Sequence, residues 1–309
     1  MATVSKLTLS IPVAPAIEFA QPLTVAATLA LPETVPSDAL DLLVCLHGAS
    51  YSRWYWDAWI DGHPGYSFID YFLSQGKAVL TLDALGMGDS SKPLDEGLLN
   101  PLLGAQAHHQ ALANILCRID AGDFGAELAA KRKRISGIGH SMGGMLTIIQ
   151  QASFRSFDQV AILGFTNISL DLPDEVRADL EKRVEGSGYS QADRGSMRAS
   201  FHAPDVPEAV IAADDSRASV TPNSYGRLAI VPGGVADEAA AIDVPVYLHF
   251  GDIDVSPDPL LEPSFYGKSR RISLMPLAGS AHCHNFASTR SDSWAKLNGW
   301  IDEMAKTGE

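Results

Sequence analysis

Three stretches of this chain place side chains that can do chemistry beside glycines and other small residues. Gly139-His140-Ser141-Met142-Gly143-Gly144 matches G-x-S-x-G, with an apolar run at 134–138 before it and an amphipathic segment at 144–152 after it. A strand that turns sharply into a helix leaves no room for side chains beside the serine, and Gly139 and Gly143 permit that turn. Ser141 then stands at a helix N-terminus, where amide dipoles favour developing negative charge. A serine hydroxyl is a weak nucleophile until a base takes its proton and a third group orients that base.

The sequence offers both partners downstream. The apolar run 244–250 leads into Gly251-Asp252-Ile253-Asp254, which delivers a carboxylate at a strand end. Asp254 is the expected acid, because three residues past the glycine let the loop turn back; Asp252 is the alternative. The run 271–275 is followed by Leu277-Ala278-Gly279-Ser280-Ala281-His282-Cys283-His284. Gly279 to Ala281 read as a small-residue turn that carries His282 inward as the base, with His284 as the alternative. His63, His108, His109, His202 and His249 are scattered and read as structural. Leu46-His47-Gly48-Ala49 follows another buried run, so the amide of Ala49 beside that of Met142 makes the expected oxyanion hole, and His47 reads as a residue that fixes the loop. The aromatic group Tyr51, Trp54, Tyr55, Trp56 and Trp59 either walls an apolar pocket or packs under a cap inserted later in the chain. Trp54, Trp56, Met197 and Phe201 are the expected substrate contacts. No metal site is expected: Pro257 and Pro263 stand where a calcium loop around Asp252, Asp254 and Asp258 would need Gly and Glu. Gly137-x-Gly139-x-x-x-Gly143 is one residue too long for a dinucleotide fingerprint, and Glu262 replaces the first glycine of a phosphate loop before Gly267-Lys268-Ser269.

The elements that must position these residues follow from periodicity. Runs at 42–46, 77–82, 134–138, 159–163, 244–250 and 271–275 are short and apolar throughout, as strands buried on both faces are. Segments with helical spacing lie at 67–75, 105–121, 144–152 and 292–306. This alternation is that of a doubly wound α/β sheet. Residues 3–31 read as an antiparallel hairpin or a pair of edge strands. Residues 171–240 break the alternation with 13 acidic and 7 basic residues and a helical opening at 173–184. They are expected to form a mostly helical cap over the strand ends, with 1–170 and 241–309 forming the core.

Length and charge narrow the classes further. The 309 residues are 46% hydrophobic and carry a formal net charge of −14, which repels nucleic acid and anionic membranes. Cys45, Cys117 and Cys283 have no paired spacing, so neither a disulfide framework nor a zinc site is expected. The N-terminus lacks a signal-peptide pattern, and 23–31 is far short of the roughly 20 apolar residues of a spanning helix. A cytoplasmic protein is expected, acting on a hydrophobic small molecule without nucleic acid, membrane or cofactor, with a homodimer left open.

Taken together these residues resemble the α/β-hydrolase superfamily over roughly residues 40–305. His47-Gly48 is similar to its oxyanion motif, and Asp83-Ala84-Leu85-Gly86-Met87-Gly88-Asp89-Ser90 to its D-x-x-G-x-G-x-S loop. Ser141, Asp254 and His282 follow its Ser, Asp, His order. The resemblance implies an eight-stranded, mostly parallel sheet flanked by helices, with the first strands antiparallel and a helical cap after the sixth. Some members take their acid from that earlier strand end, which keeps Asp171 as a third candidate. Members that open epoxides or haloalkanes carry an aspartate at the elbow, so Ser141 turns the expectation toward esters, lactones or thioesters cleaved through an acyl-enzyme. Carbon–carbon hydrolysis, amide hydrolysis and acyl transfer stand behind it. A reading of another class is a small-molecule receptor with slow turnover.

Overall fold

The computed structural model describes residues 5–35, 39–191 and 194–307. Residues 3 and 4, the start of the first alternating run, lie outside the described residues. β1 (Ser5–Val13) and β2 (Leu23–Leu31) form an antiparallel pair, with Val13 opposite Leu23 and Ser5 opposite Leu31. Of these two only β1 is an edge, because β2 also pairs antiparallel with β4 (Ala78–Leu82). Between them in the chain lies β3 (Ala39–Leu46); β5 (Arg132–His140) and β6 (Gln159–Leu163) follow. β7 (Tyr189–Gln191) and β8 (Val220–Pro222) form a separate antiparallel ladder. β9 (Val246–Ile253) and β10 (Ile272–Ala281) complete an eight-stranded sheet of order β1-β2-β4-β3-β5-β6-β9-β10, parallel from β4 onward.

Burial on both faces explains the continuous apolar runs. In β3, Leu42, Val44 and Leu46 enter one core while Leu43 and Cys45 enter the other. α2 (Pro101–Asp120) and α4 (Met142–Phe154) cover the first face, and α1 (Phe68–Ser74) and α10 (Arg290–Thr307) cover the second. α2 starts a turn before the apolar spacing suggests. The Asn100 side chain accepts from the Leu103 amide at 3.0 Å and Pro101 is preset for the first helical position. α3 (Ala126–Ala129) is a short turn leading to β5.

The segment between β6 and β9 holds α5 (Asp174–Arg183), α6 (Arg194–Phe201), α7 (Glu208–Asp215), α8 (Asn223–Ala229) and α9 (Ala236–Ala241), besides the β7–β8 ladder. That ladder is absent from the sequence reading, since two three-residue strands are too short to show a period. α9 differs from its neighbours: Ala239 enters the sheet core alongside Ile148 and Ile149 of α4. Among the described residues no helix is long and apolar enough to cross a membrane. Cys45, Cys117 and Cys283 are free thiols.

Candidate active site

The loops that follow β3, β5, β9 and β10 lie at the C-terminal edge of the parallel strands, where α/β sheets bind ligands. Ser141, between β5 and α4, has φ 54 and ψ −126, a region that side-chain-bearing residues rarely occupy. Its amide donates to the Leu163 carbonyl at 2.8 Å, which fixes the turn against β6. The flanking glycines are required by close approach. A Cβ on Gly139 would lie 2.3 Å from the Gly143 oxygen, and one on Gly143 would lie 2.3 Å from the Leu46 oxygen.

The loop after β3 comes up beside the serine, with the Cβ position of Gly48 only 3.0 Å from Ser141 Cβ. His47 fastens this loop. Its Nδ1 donates to the Gly48 carbonyl at 2.9 Å and its Nε2 accepts from the Ala84 amide at 3.2 Å. Behind it the Asp83–Ser90 motif forms a knot. The Asp83 carboxylate is fully buried, takes the Asp89 amide at 2.8 Å and pairs with Arg53, while a Cβ on Gly88 would strike Asp83 Cγ at 2.3 Å. Ala49 and Met142 both line the cavity that Ser141 opens into. Neither amide has an acceptor among the described residues.

Asp254 stands one residue beyond β9, its side chain only 1% exposed. Its Oδ1 accepts from His282 Nδ1 at 2.7 Å and from the Val255 amide at 2.7 Å. Its Oδ2 accepts from His284 Nε2 at 2.7 Å and from the Gly251 amide at 3.0 Å. Burial by itself would raise this carboxyl, but the charges of His282 and His284 and their hydrogen bonds outweigh it and hold the group well below the usual carboxylate range. Gly164, at φ +63, makes room for the pair: a Cβ there would lie 3.1 Å from His282 Nδ1. His282 lines the cavity with Ser141, whereas His284 does not. The two histidines posed as alternatives by the sequence therefore share one carboxylate, and only His282 faces the cavity.

The other candidate acids are occupied or remote. Asp252 accepts from the amides of Gly279 and Ser280, both at 3.0 Å, and so pins a bulge in β10. Between the pairs Leu277–Gly251 and Ala281–Ile253 that bulge sets three residues of β10, 278 to 280, against Asp252 alone on β9, which carries His282 forward. The expected turn at 279–281 is thus part of a strand. Asp171 is exposed, and its contact with the loop after β9 is through its amide, which donates to the Val255 carbonyl at 2.7 Å.

Of the four residues read as substrate contacts, Met197 and Phe201 line the cavity, whereas Trp54 and Trp56 do not. Trp56 is fully buried on the sheet side, edge-on to Phe68. Trp54 packs on Phe286 and beneath Arg217. The reason is the tight 3-10 turn at Arg53–Trp56, which sends both indoles away from Ser141 and leaves Tyr51 as the aromatic of that loop that reaches the cavity. The apolar wall comes instead from Leu170, Leu172, Leu180, Val184, Ile230 and Val255. Sequence reasoning also passed over His140, the residue inside the motif. Its Nε2 donates to the His282 carbonyl at 2.8 Å. Burial, with His282 and His284 adding to it, pushes its imidazole well below the ordinary value and keeps it neutral. Its place before the serine was the available signal.

A model described as the alpha/beta hydrolase family matches residues 43–295. This chain belongs to the alpha/beta hydrolase family. Among curated proteins none matches it. Its fold is similar to that of a thermophilic esterase from Thermogutta terrifontis, solved with malate bound. The TM-score is 0.67 at 14% identity, over 96% of this chain and 98% of that one. A bromoperoxidase from Bacillus anthracis aligns with TM-score 0.67 at 15% identity, covering 96% of this chain and 100% of its own. Proline iminopeptidase from Mycobacterium smegmatis aligns with TM-score 0.64 at 17% identity, over 98% and 100% of the two chains. Three differently named activities on one scaffold mean that the hydrolase fold leaves the reaction to the site residues.

Proposed function

We propose that this hydrolase-family chain cleaves a carboxylic ester, lactone or thioester of a hydrophobic small molecule through an acyl-enzyme on Ser141. The observation that carries the reading is His282, held at Nδ1 by buried Asp254 at 2.7 Å and lying on the wall of the cavity that Ser141 also lines. With Nδ1 engaged, Nε2 is the nitrogen left to take a proton. Ser141 Oγ attacks the carbonyl carbon and gives its proton to His282 Nε2. The carbonyl oxygen becomes an oxyanion facing the amides of Ala49 and Met142. Collapse expels the alcohol or thiol, which receives the proton from His282; water, deprotonated by the same nitrogen, then attacks the acyl carbon, and collapse of that second intermediate breaks the bond to Ser141 Oγ, which takes the proton back from His282 as the acid leaves. Asp254 remains ionised throughout, orienting the imidazole and stabilising its charged form. In this reading the segment 171–240 is a cap, and its Leu172, Leu180 and Met197 make the acyl pocket apolar.

The test is a panel of esters, lactones and thioesters assayed with wild type and Ser141→Ala in parallel, with a fluorophosphonate label located by mass spectrometry. The expected result is turnover of apolar acyl substrates, loss of nearly all of it in Ser141→Ala, and label on Ser141. An alanine variant with wild-type turnover, or label confined to another serine, overturns the assignment.

A further inference from the structure

Ser50 follows Ala49 and has φ 64, a conformation that a residue with a side chain keeps only when its surroundings over-determine it. Every polar group of Ser50 is taken up by the segment between β6 and β9. Its amide donates to Thr221 Oγ1 at 2.8 Å. Its carbonyl accepts from the Ser219 amide at 2.8 Å and from Arg194 Nη2. Its hydroxyl oxygen accepts from Arg194 Nε at 3.3 Å.

Arg194 is itself fixed from the far side. Its Nη1 donates to Asp214 Oδ1 at 3.0 Å and to the Asp214 carbonyl, and its guanidinium lies 4.0 Å from the centre of the Tyr51 ring. The other Asp214 oxygen accepts from the Tyr51 hydroxyl at 2.8 Å and from His202 Nε2 at 3.1 Å. The Arg194 and Asp214 side chains are 3% and 0% exposed. A buried ion pair is a poor source of stability, because both charges lose their water. What a planar fork with several donors does well is fix geometry. The same helix, α6, holds the base loop at its other end, where the carbonyls of Ser200 and Phe201 accept from the amides of His282 and Cys283 at 2.9 and 3.0 Å.

We propose that Arg194 and Thr221 are positioning residues: through Ser50 they aim the Ala49 amide into the cavity, so the oxyanion site is complete only while the segment carrying α6 is seated. This rests on the reading of Ser141, His282 and Ala49 given above. An unseated segment would leave the serine elbow intact and the oxyanion loop free to relax.

The experiment compares Thr221→Val, Thr221→Ser, Arg194→Lys and Arg194→Met on the best ester of the panel. Each is followed by kcat, KM, melting temperature, and affinity for an alkylboronic acid, which is tetrahedral and anionic when bound to the serine. Loss of an oxyanion donor costs roughly 10² to 10³ in kcat, so misplacing one by Thr221→Val should cost roughly 10-fold or more. KM should stay near wild type, boronate affinity should fall by the factor lost in kcat, and Thr221→Ser should restore both. Arg194→Lys, which keeps a charge against Asp214, should fall between wild type and Arg194→Met. A folded Thr221→Val or Arg194→Lys with wild-type kcat and boronate affinity overturns the proposal. So does an equal loss of affinity for the planar carboxylic acid product, since that marks general damage to the cavity. A fully active Ser141→Ala would instead defeat the underlying serine mechanism, which separates the two failures.

Discussion

His284 Nε2 donates to Asp254 Oδ2 at 2.7 Å, on the carboxylate oxygen that His282 leaves free. The Asp254 carboxylate is thus braced from two sides, and the brace sits two residues from His282, the base in the proposed mechanism. A hydrogen bond to a charged group contributes about 1.5–3 kcal/mol. His284→Phe is therefore expected to lower kcat by roughly 10-fold, and His284→Gln, which can still donate, to recover most of it. Asp254→Asn should lower kcat by roughly 10⁴, and His282→Ala should leave almost none. Steady-state rates on one good ester decide the order; a severe His284→Gln with an active His282→Ala would exchange the roles of the two histidines.

The elbow makes opposite stability predictions for neighbouring positions. Ser141 holds φ 54, a strained conformation of the kind that costs about 1–3 kcal/mol, so Ser141→Gly should stabilise the fold by about 1 kcal/mol after glycine's entropic cost while removing activity. Gly139→Ala and Gly143→Ala would each drive a Cβ to 2.3 Å from a carbonyl oxygen, and both should be strongly destabilised. Urea unfolding midpoints check both directions. A Ser141→Gly variant less stable than Ser141→Ala would contradict the strain argument.

Four buried imidazoles set the acid side of the stability profile. Burial pushes His47, His108, His140 and His249 below their ordinary 6.5, with His108 pushed down to about 3. Their folded values are depressed, so the native state stays unprotonated where the unfolded chain takes up protons. Their stabilisation is complete above pH 6.5 and is lost as pH falls from there toward each folded value, at up to about 1.4 kcal/mol per pH unit for each residue. Asp254, also depressed, adds a second loss only below about pH 4. Melting temperature should therefore fall from pH 6.5 downward, and His108→Gln, whose amide oxygen can still accept from the Leu85 amide, should flatten that slope. An unchanged slope in a folded His108→Gln would remove His108 from the account.

Acyl-chain selectivity should follow the residues that line the cavity. Leu172 and Met197 pack together on its wall with Val255, so Leu172→Trp fills space that a long acyl chain would use. Excluding three or four methylenes at about 0.8 kcal/mol each predicts a loss of roughly 100-fold in kcat/KM for a long-chain ester, with acetyl esters spared. Trp54→Ala, away from the cavity, should leave the chain-length profile unchanged even if the melting temperature drops. A series of p-nitrophenyl esters from C2 to C12 reads both.

The main-sheet strands after residue 39 were legible because two-sided burial favours short, mostly apolar runs, and the elbow because only glycine clears carbonyl oxygens at 2.3 Å. Those constraints act on residue type directly, so Ser141 and its flanking glycines, the order of strands along the chain and the loops bearing Asp254 and His282 could be read from sequence alone. The direction of a side chain at a loop is different, since it depends on backbone angles and on partners far away in the chain. Only tertiary structure decided that His282 faces the cavity while His284 lies behind the same carboxylate, and that Asp252 pins a β10 bulge. The 3-10 turn at Arg53–Trp56 likewise sends Trp54 and Trp56 away from the site. Arg194 reaching Ser50, 144 residues earlier, leaves no local pattern at either position, because a buried ion pair is specified by the packing that surrounds it.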